Sequence, residues 1–272
     1  MAIIAMTQHI GTRGVELGKL TAEALGYRFL TADQIIAETA RHYEVRPEEL
    51  VIVDERRPHF WERLKTDTAR VARFFRAVVL KEMAQDRLVV IGRSVTHMMP
   101  DGCGLRIRLT APLAERVKVV GAAEGIAPAL AERRVRDYDR ETRARIQTLL
   151  DIDLDDPANF TLTVNTAALP IDAIAATLCT MALQFEERVT DEDRRALRDA
   201  ALAAEVHVTL MSHPKIGRAP LDVQCARGVI RVNGPGLVPP WDDLITDVAG
   251  QVEGVRSVEV RAEEQPIPVR PN

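Results

Sequence analysis

The chain has 272 residues with a formal net charge of −4. A general nucleic-acid-binding protein carries a basic footprint, so this charge balance disfavours that class and favours a small-molecule ligand. The cysteines Cys103, Cys179 and Cys225 are too far apart for a C-x-x-C metal site or a disulfide framework, which favours a reducing compartment. The sequence shows no signal-peptide pattern and no apolar run of membrane-spanning length, so we predict a cytoplasmic protein.

Short apolar runs alternate with longer helical patterns over the first three-fifths of the chain. This alternation predicts βαβ units and a parallel sheet. The predicted strands are residues 2–6, 87–92, 105–110 and 160–165. The predicted helices run from Leu17 to Leu25 with Gly26 as the stop, over residues 60–85, from Pro128 to about Leu150, and onward from about Ile171.

The pattern changes after Val189, which predicts a second domain. Thr190, followed three residues later by Asp193, predicts the N-cap of a helix. Two short strands around Arg227-Gly228, a helix over residues 241–252 and a strand over 254–262 complete a predicted α+β unit with the order α-β-β-α-β. The Pro-rich end, residues 264–272, is predicted to be disordered.

A glycine-rich segment, TQHIGTRGVELGKL from Thr7 to Leu20, joins the first predicted strand to the first predicted helix. Strand, glycine-rich turn and helix N-terminus together form the arrangement that cradles phosphates in many proteins. The segment lacks the standard pattern G-x-x-x-x-G-K-[ST], because Leu20 follows Gly18-Lys19. A phosphate-binding loop and a plain surface turn therefore both remain open at this point.

The segment VVIGRSVTHMMPDGCGLRIRLTAPLAERV, residues 89–117, resembles the cytidylate kinase family. In that family a buried strand ends in Gly-Arg-Asp, and Pro-Asp and a strand leading to a helix with Glu-Arg follow. Four more segments are similar, in the same order, to the cytidylate kinase-like group of P-loop proteins: LGYRFLTADQII, VDERRPHFWERL, VRDYDRETRAR and DLDDPANFTLTVNTAALPIDAIAATL. The resemblance covers about residues 3–183.

This resemblance implies a fold and a domain organisation. It implies a three-layer α/β/α P-loop kinase-like domain with a parallel sheet over residues 1–186. A separate resemblance concerns the following unit, residues 190–263: HP before its first strand, RGVIRVNG and GVRSVEV are similar to a BON domain, a small module usually linked to membrane-surface or partner binding.

The resemblance also implies which residues of the loop bind ATP. GTRGVELG aligns with GSGGREIA of the group, which implies that Gly11, Thr12 and Gly14 preserve the conformation of the phosphate-binding turn. The phosphate-gripping lysine and the metal-binding hydroxyl of a standard cytidylate kinase would fall at Gly14 and Val15, which lack both groups. Arg13 can replace the positive charge of the missing lysine and bind a phosphate through two hydrogen bonds. We therefore assign ATP to Gly11, Thr12, Arg13 and Gly14, with Mg²⁺ implied by the resemblance.

Arg93 follows a predicted buried strand, at the edge where open α/β sheets bind ligands. The resemblance implies that Arg93 contacts the acceptor phosphate; the alternative is a surface arginine paired with Asp101 or Glu55. Ser94 stands at the acceptor site where the family has a nucleoside-binding Asp, which leaves cytidine specificity unsupported. Asp54 and Glu55 could bind magnesium or an acceptor hydroxyl, but we favour a role at a helix start, where acidic residues stabilise the helix dipole.

A cluster of arginines marks the predicted helix after Pro128: Arg133, Arg134, Arg136, Arg140, Arg143 and Arg145. Arginines of a mobile lid stabilise the charge that develops in phosphoryl transfer. We predict Arg136 and Arg140, one turn apart, as catalytic lid residues with Arg116 behind them. The alternative is an ordinary solvated helix in which interleaved acidic residues form i,i+4 pairs. The six histidines lack metal-ligand spacing, so no metal site is predicted from them.

Two functions remain open. The first is a nucleoside monophosphate kinase-like phosphotransferase that moves the ATP γ-phosphate to a nucleoside monophosphate or a similar small acceptor. The second is a catalytically inactive nucleotide-binding regulator that signals through the BON-like domain to a protein or membrane-surface partner. The missing lysine and hydroxyl favour the regulator, whereas the arginine set favours the enzyme.

Overall fold

The computed structural model describes residues 2–43, 67–92, 94–217 and 219–263. The chain divides into two compact units, Met1–Arg194 and Arg195–Asn272. The predicted boundary between residues 186 and 190 falls a few residues before this division. The predicted disordered segment, 264–272, lies outside the described residues.

The first unit alternates strands and helices, as the sequence predicts. Its strands are β1 (Ile3–Gln8), β2 (Arg28–Thr31), β3 (Leu88–Ile91), β4 (Gly104–Thr110) and β5 (Leu162–Asn165). Its helices are α1 (Gly14–Leu25), α2 (Ala32–Tyr43), α3 (Asp67–Ala84), α4 (Val95–Met98), α5 (Leu113–Glu124), α6 (Pro128–Leu150) and α7 (Ile171–Glu186).

The five strands form one parallel sheet in the order β2-β3-β1-β4-β5. The predicted parallel sheet and its four predicted strands are confirmed. Sequence patterns missed β2, an edge strand of four half-buried residues whose sequence, RFLT, contains no apolar run. Because all strands run the same way, the loops after β1, β3, β4 and β5 meet at one edge of the sheet, where such folds bind ligands.

The centre of the sheet is buried on both faces. Ile4 and Met6 of β1 belong to a core cluster with Leu17 of α1 and Leu178 of α7. Ile3, which points to the opposite face, is fully buried as well. A strand covered on both faces needs apolar residues at every position, which explains the continuous run AIIAM.

The predicted helix ends agree with the backbone geometry. Gly26 has a left-handed φ of 65° and its N–H donates to the carbonyls of Ala22 and Glu23, which ends α1. Pro128 stands in the first turn of α6, where its missing N–H costs nothing. Gly26 therefore marks the end of α1 and Pro128 the start of α6, and both helices border the site described below.

The second unit contains the predicted order of elements. Helix α8 (Asp191–Ser212), which begins in the first unit and continues into the second, is followed by β6 (Asp222–Ala226), β7 (Val229–Pro235), α9 (Trp241–Gly250) and β8 (Ser257–Glu263). Strands β6 and β7 are antiparallel, whereas β7 and β8 are parallel. The N-cap prediction is confirmed, because Asp193 N–H donates to Thr190 Oγ1 over 3.1 Å and Thr190 N–H donates to Asp193 Oδ2 over 2.8 Å. The likeness to a BON domain stays a prediction.

None of the helices in the described part of the chain is both long enough and apolar enough to cross a membrane.

Candidate functional site

The turn between β1 and α1 has a backbone that only glycine tolerates at its centre. Gly11 has a φ of 82°, and a Cβ atom there would lie 2.7 Å from the carbonyl oxygen of Arg116. Arg13 also has a left-handed φ, 55°, directly before α1 begins. The turn therefore packs against the first part of α5 and presents the N-terminus of a 12-residue helix at the ligand-binding edge of the sheet.

Gly14 is closed in by neighbouring side chains. A Cβ at this position would collide with Gln8 Oε1 and would lie 2.8 Å from the Cδ1 atoms of Ile91 and Leu109. No side chain fits here without movement of these neighbours, and this is the position where the resemblance places the kinase lysine. The absence of the lysine therefore agrees with the close packing of side chains from β1, β3 and β4 around this position.

Thr12 stabilises the turn from inside. Its side chain is buried, and Oγ1 donates to the carbonyl of His9 over 2.9 Å and toward Gln8 Oε1 over 3.2 Å. The hydroxyl is thus occupied by the protein itself. Any contribution of Thr12 to ATP binding falls to its backbone N–H.

Arg13 reaches solvent, with a side chain that is 49% exposed. Its guanidinium donates two hydrogen bonds to the Glu16 carboxylate, from Nε to Oε2 over 2.8 Å and from Nη2 to Oε1 over 2.6 Å. The bidentate geometry is the one by which arginine binds a phosphate. A phosphate at the turn would therefore compete with the Glu16 carboxylate for the same donors.

An open groove begins beside the turn. It has a volume of about 410 Å³, within the range of small-molecule sites. It is lined by Gly11 and Arg13 of the turn, by Ala111, Glu115 and Val119 from the chain after β4, and by the segment from Thr166 to Pro170 after β5. Its lining is of mixed polarity: it includes the polar residues Arg13, Glu115 and Thr166 and apolar residues such as Leu169, which is 58% exposed. A groove of mixed polarity beside a helix N-terminus suits a ligand with an apolar part and an anionic end.

A buried polar cluster lies at the carboxyl ends of β1 and β4. Arg108 is only 4% exposed, and its Nη2 donates to His9 Nε2 over 2.8 Å. Burial, and next the charges of Arg108, Arg116 and Arg143, lower the pKa of His9 to about 3. The neutral ring accepts at Nε2 and therefore carries its proton on Nδ1, which donates to Thr110 Oγ1 over 3.2 Å.

A small cavity adjoins this cluster. Its volume of about 10 Å³ holds roughly one water molecule. Two buried polar atoms, Arg108 Nη1 and Thr142 Oγ1, have no hydrogen-bond partner among the described residues. Both residues line the cavity, so one bridging water would satisfy both atoms. A nucleotide does not fit in this space.

Arg116, predicted as a catalytic residue, is held by the protein. It is 7% exposed, its Nε donates to the carbonyl of Ala111 over 3.1 Å, and its Nη1 lies 3.0 and 2.8 Å from the two carboxylate oxygens of Asp139. These bonds fasten the start of α5 to α6. The backbone of Arg116 touches Gly11, so the residue supports the turn from below.

Arg136 and Arg140, predicted as lid residues, lie on the solvent side of α6. Their side chains are 61% and 71% exposed and pair with Glu132 and Asp137 over 2.9 and 2.8 Å. Neither lines the groove or the small cavity, whereas Arg143 does line the cavity. This arrangement matches the alternative of a solvated helix, and the lid role stays a prediction.

The predicted acceptor site is described only in part. Arg93 lies outside the described residues, as do Asp54 and Glu55. Ser94 precedes α4 as its N-cap residue and makes no side-chain capping bond. Within the described residues, no group of three or more His, Cys, Asp and Glu side chains is arranged to hold a metal ion.

Sequence reasoning missed His9 and Arg108. A signal for Arg108 was present in the strand LRIRLT, where arginines alternate with apolar residues. In a parallel sheet covered on both faces, a charged strand residue is buried and requires a partner. No local pattern predicts the pairing of His9 with Arg108, because the two residues are 99 positions apart.

Comparisons with known proteins place the chain in a family. The model of the cytidylate kinase-like family matches residues 3–168, more than half of the chain, so the chain belongs to this family. A cytidylate kinase of Desulfurococcus amylolyticus is 28% identical over 57% of this chain and 78% of that protein. A cytidylate kinase of Thermococcus kodakarensis is 33% identical over 35% of this chain, and the match spans about half, 49%, of that protein.

A solved structure supports the same fold. An uncharacterized protein from Eubacterium ventriosum shares the fold with a TM-score of 0.53, at 13% sequence identity over 67% of this chain and 98% of that one. At this identity the likeness speaks for the fold alone.

Proposed function

We propose that this member of the cytidylate kinase-like family is a phosphotransferase that moves the γ-phosphate of ATP to a nucleoside monophosphate or a similar small acceptor. The observation that carries the proposal is the groove of about 410 Å³ that opens beside the turn from Gly11 to Gly14. Both curated relatives described above are cytidylate kinases. They support the choice of ATP and of a nucleotide acceptor.

In this proposal the groove binds the nucleoside part of ATP. Ala111, Val119, Leu169 and Pro170 are among the lining residues and provide apolar surfaces for a flat base. The phosphates then extend toward the turn, where the N-terminus of α1 carries a partial positive charge. The anionic end of the ligand thereby meets the positive end of the helix.

Arg13 supplies the charge that the missing lysine would supply. Arg13 lines the groove, and its guanidinium already has a bidentate carboxylate partner in Glu16. Exchange of Glu16 for a phosphate keeps two charge-assisted hydrogen bonds and costs only an exposed ion pair, which is worth little. Gly11 and Gly14 allow the close backbone approach, and Thr12 holds the turn in shape.

The remaining site residues are proposed with these roles. Arg93 contacts the acceptor phosphate and Ser94 faces the acceptor nucleoside. Arg136 and Arg140 leave Glu132 and Asp137 to stabilise the transferred group, and Arg116 positions their helix. The described residues do not fit a protein-held Mg²⁺, because Val15 has no hydroxyl and the Thr12 hydroxyl donates within the turn.

The alternative is a nucleotide-binding regulator without transfer chemistry. The specific observation in its favour is the close packing around Gly14, where a lysine side chain would require the ends of the Gln8, Ile91 and Leu109 side chains to move. Both functions require nucleotide in the groove. They differ in whether an acceptor receives phosphate and in whether nucleotide binding is signalled through the BON-like domain.

A pair of matched variants tests the groove. Leu169 lines the groove and is 58% exposed, whereas Leu183 on α7 is 55% exposed and does not line it. We expect Leu169→Asp to weaken calorimetric ATP binding by roughly tenfold or more, because it places a carboxylate beside an anionic ligand, whereas Leu183→Asp retains the wild-type affinity. Equal ATP affinity of the two variants would contradict binding of ATP in the groove.

A further inference from the structure

Four arginines of the second unit converge on one depression. Arg195 and Arg198 lie on one face of α8, Arg227 lies in the turn between β6 and β7, and Arg256 directly precedes β8. The depression has a volume of about 620 Å³, within the range of small-ligand sites. The fold thus collects positive charge from three separate segments.

These four arginines are not neutralised by ion pairs. None of them forms an ion pair or a side-chain hydrogen bond with any residue in the described ranges of the chain. Other arginines of the same unit behave differently, because Arg231 and Arg261 both pair with Glu259. Unpaired arginines that share one concave surface repel each other, and a bound anion would relieve that repulsion.

One carboxylate in the depression is already used to shape it. Asp199 accepts from Arg227 N–H over 2.7 Å and Gly228 N–H over 3.1 Å, and Cys225 Sγ donates to Asp199 Oδ1 over 3.2 Å. Arg227 and Gly228 have left-handed φ values of 56° and 78°, as a two-residue hairpin turn requires. Asp199 therefore fixes the turn that carries Arg227 and leaves its guanidinium for another partner. Glu253 is the second carboxylate of the lining.

From this convergence we propose that the second unit binds a compact oligophosphate, a small ligand with several phosphate groups, between Arg195, Arg198, Arg227 and Arg256. Guanidinium groups bind phosphate oxygens bidentately, and four of them outnumber the two lining carboxylates. Among the described residues no aromatic side chain lines the depression, so these residues offer no stacking platform for the bases of a single-stranded nucleic acid. Its concave form suits a small ligand better than a flat membrane surface.

The test titrates inorganic tripolyphosphate into the full-length protein by calorimetry at physiological ionic strength. The variants are Arg198→Ala/Arg227→Ala and, as a matched control, Arg231→Ala. All of them carry Arg13→Ala, so that phosphate binding at the β1–α1 turn does not contribute. This separates the inference from the proposed kinase site.

We expect the Arg13→Ala protein to bind tripolyphosphate and the added double substitution to weaken binding by roughly tenfold or more, the scale of a lost charge-assisted hydrogen bond, with Arg231→Ala unchanged. Exposed, unpaired arginines tolerate replacement; if the double variant nevertheless unfolds, Arg195→Ala/Arg256→Ala takes its place under the same expectation. Equal affinity in all variants overturns the proposal. So does binding of phosphatidylglycerol vesicles or of a single-stranded oligonucleotide through these arginines when tripolyphosphate does not bind.

Discussion

Arg116 and Asp139 form a two-point ion pair between α5 and α6, in which both side chains are largely buried, with exposed fractions of 9% and 17%. The pair lies directly under the β1–α1 turn, because Gly11 packs on the backbone of Arg116. It therefore couples the arginine-bearing helix α6 to the turn that is proposed to bind phosphate.

Removal of either partner should destabilise the first unit. Arg116→Ala leaves a buried carboxylate unpaired, so we expect the free energy of unfolding to fall by about 3 kcal/mol or more. Asp139→Ala should cost a similar amount, and the double variant should cost less than the sum of the two. Urea unfolding of the four proteins measures these differences.

Arg136→Ala is the control for this series. Arg136 forms an exposed pair with Glu132, so its loss should change the free energy of unfolding by less than about 1 kcal/mol. A stable Arg116→Ala protein that loses only turnover would instead support the direct catalytic role predicted from the sequence.

The buried imidazole of His9 should make the stability depend on pH. Burial lowers the folded-state pKa of His9 to about 3, below the value of about 6.5 in the unfolded chain. The unfolded state therefore binds the extra proton between these values, and the free energy of unfolding should fall as the pH is lowered from about 6.5 toward 3. His9→Gln should flatten this part of the profile.

His97 contributes in the same direction, since burial lowers its pKa to about 4. The variants His9→Gln and His97→Gln, alone and together, separate the two contributions. An NMR titration of the imidazole signals measures the two pKa values directly. A His9 ring that titrates near its ordinary value in the folded protein would contradict the buried pairing with Arg108.

Arg13 should determine ATP affinity together with Glu16. Arg13→Ala removes a charge-assisted contact, so we expect ATP or ADP binding to weaken by about 1.5–3 kcal/mol with the fold intact. Glu16→Gln should have the opposite effect, because it removes the competitor for the guanidinium. Isothermal calorimetry on both variants checks the two signs.

A second arginine provides a matched control. Arg41 pairs with Glu38 at i,i−3 over 2.6 Å, the same separation and distance as for Arg13 and Glu16, but lies outside the groove. Arg41→Ala should leave ATP affinity unchanged. If Arg13→Ala behaves like Arg41→Ala, Arg13 is an ordinary surface arginine.

Local patterns predicted the features whose causes are local. The continuous apolar run predicted β1, Gly26 predicted the end of α1, and Thr190 with Asp193 predicted the start of α8. In each case the determinant lies within one turn or one strand of the element it fixes. Strand β2 was missed because a short edge strand depends on pairing with β3 more than on its own four residues.

The contacts of side chains inside the site could not be predicted from local patterns, because their partners are distant in sequence. Arg116 was predicted as a catalytic residue behind Arg136 and Arg140, but its carboxylate partner Asp139 lies 23 positions later on another helix. Helical spacing alone did not distinguish the exposed pairs of Arg136 and Arg140 from lid residues that await a ligand. The closure around Gly14 involves three strands, so it followed only from the assembled sheet.

Acceptor-dependent ADP release tests the proposed function most directly. The assay uses CMP, dCMP, UMP and AMP as acceptors, with calorimetric ATP binding measured on the same proteins. We predict release above the acceptor-free rate with at least one acceptor, and a far larger loss of turnover than of ATP affinity in Arg136→Ala/Arg140→Ala, because lid charge acts mainly on the transition state. Bound ATP without release for any of the four acceptors would contradict the phosphotransferase and favour the nucleotide-binding regulator.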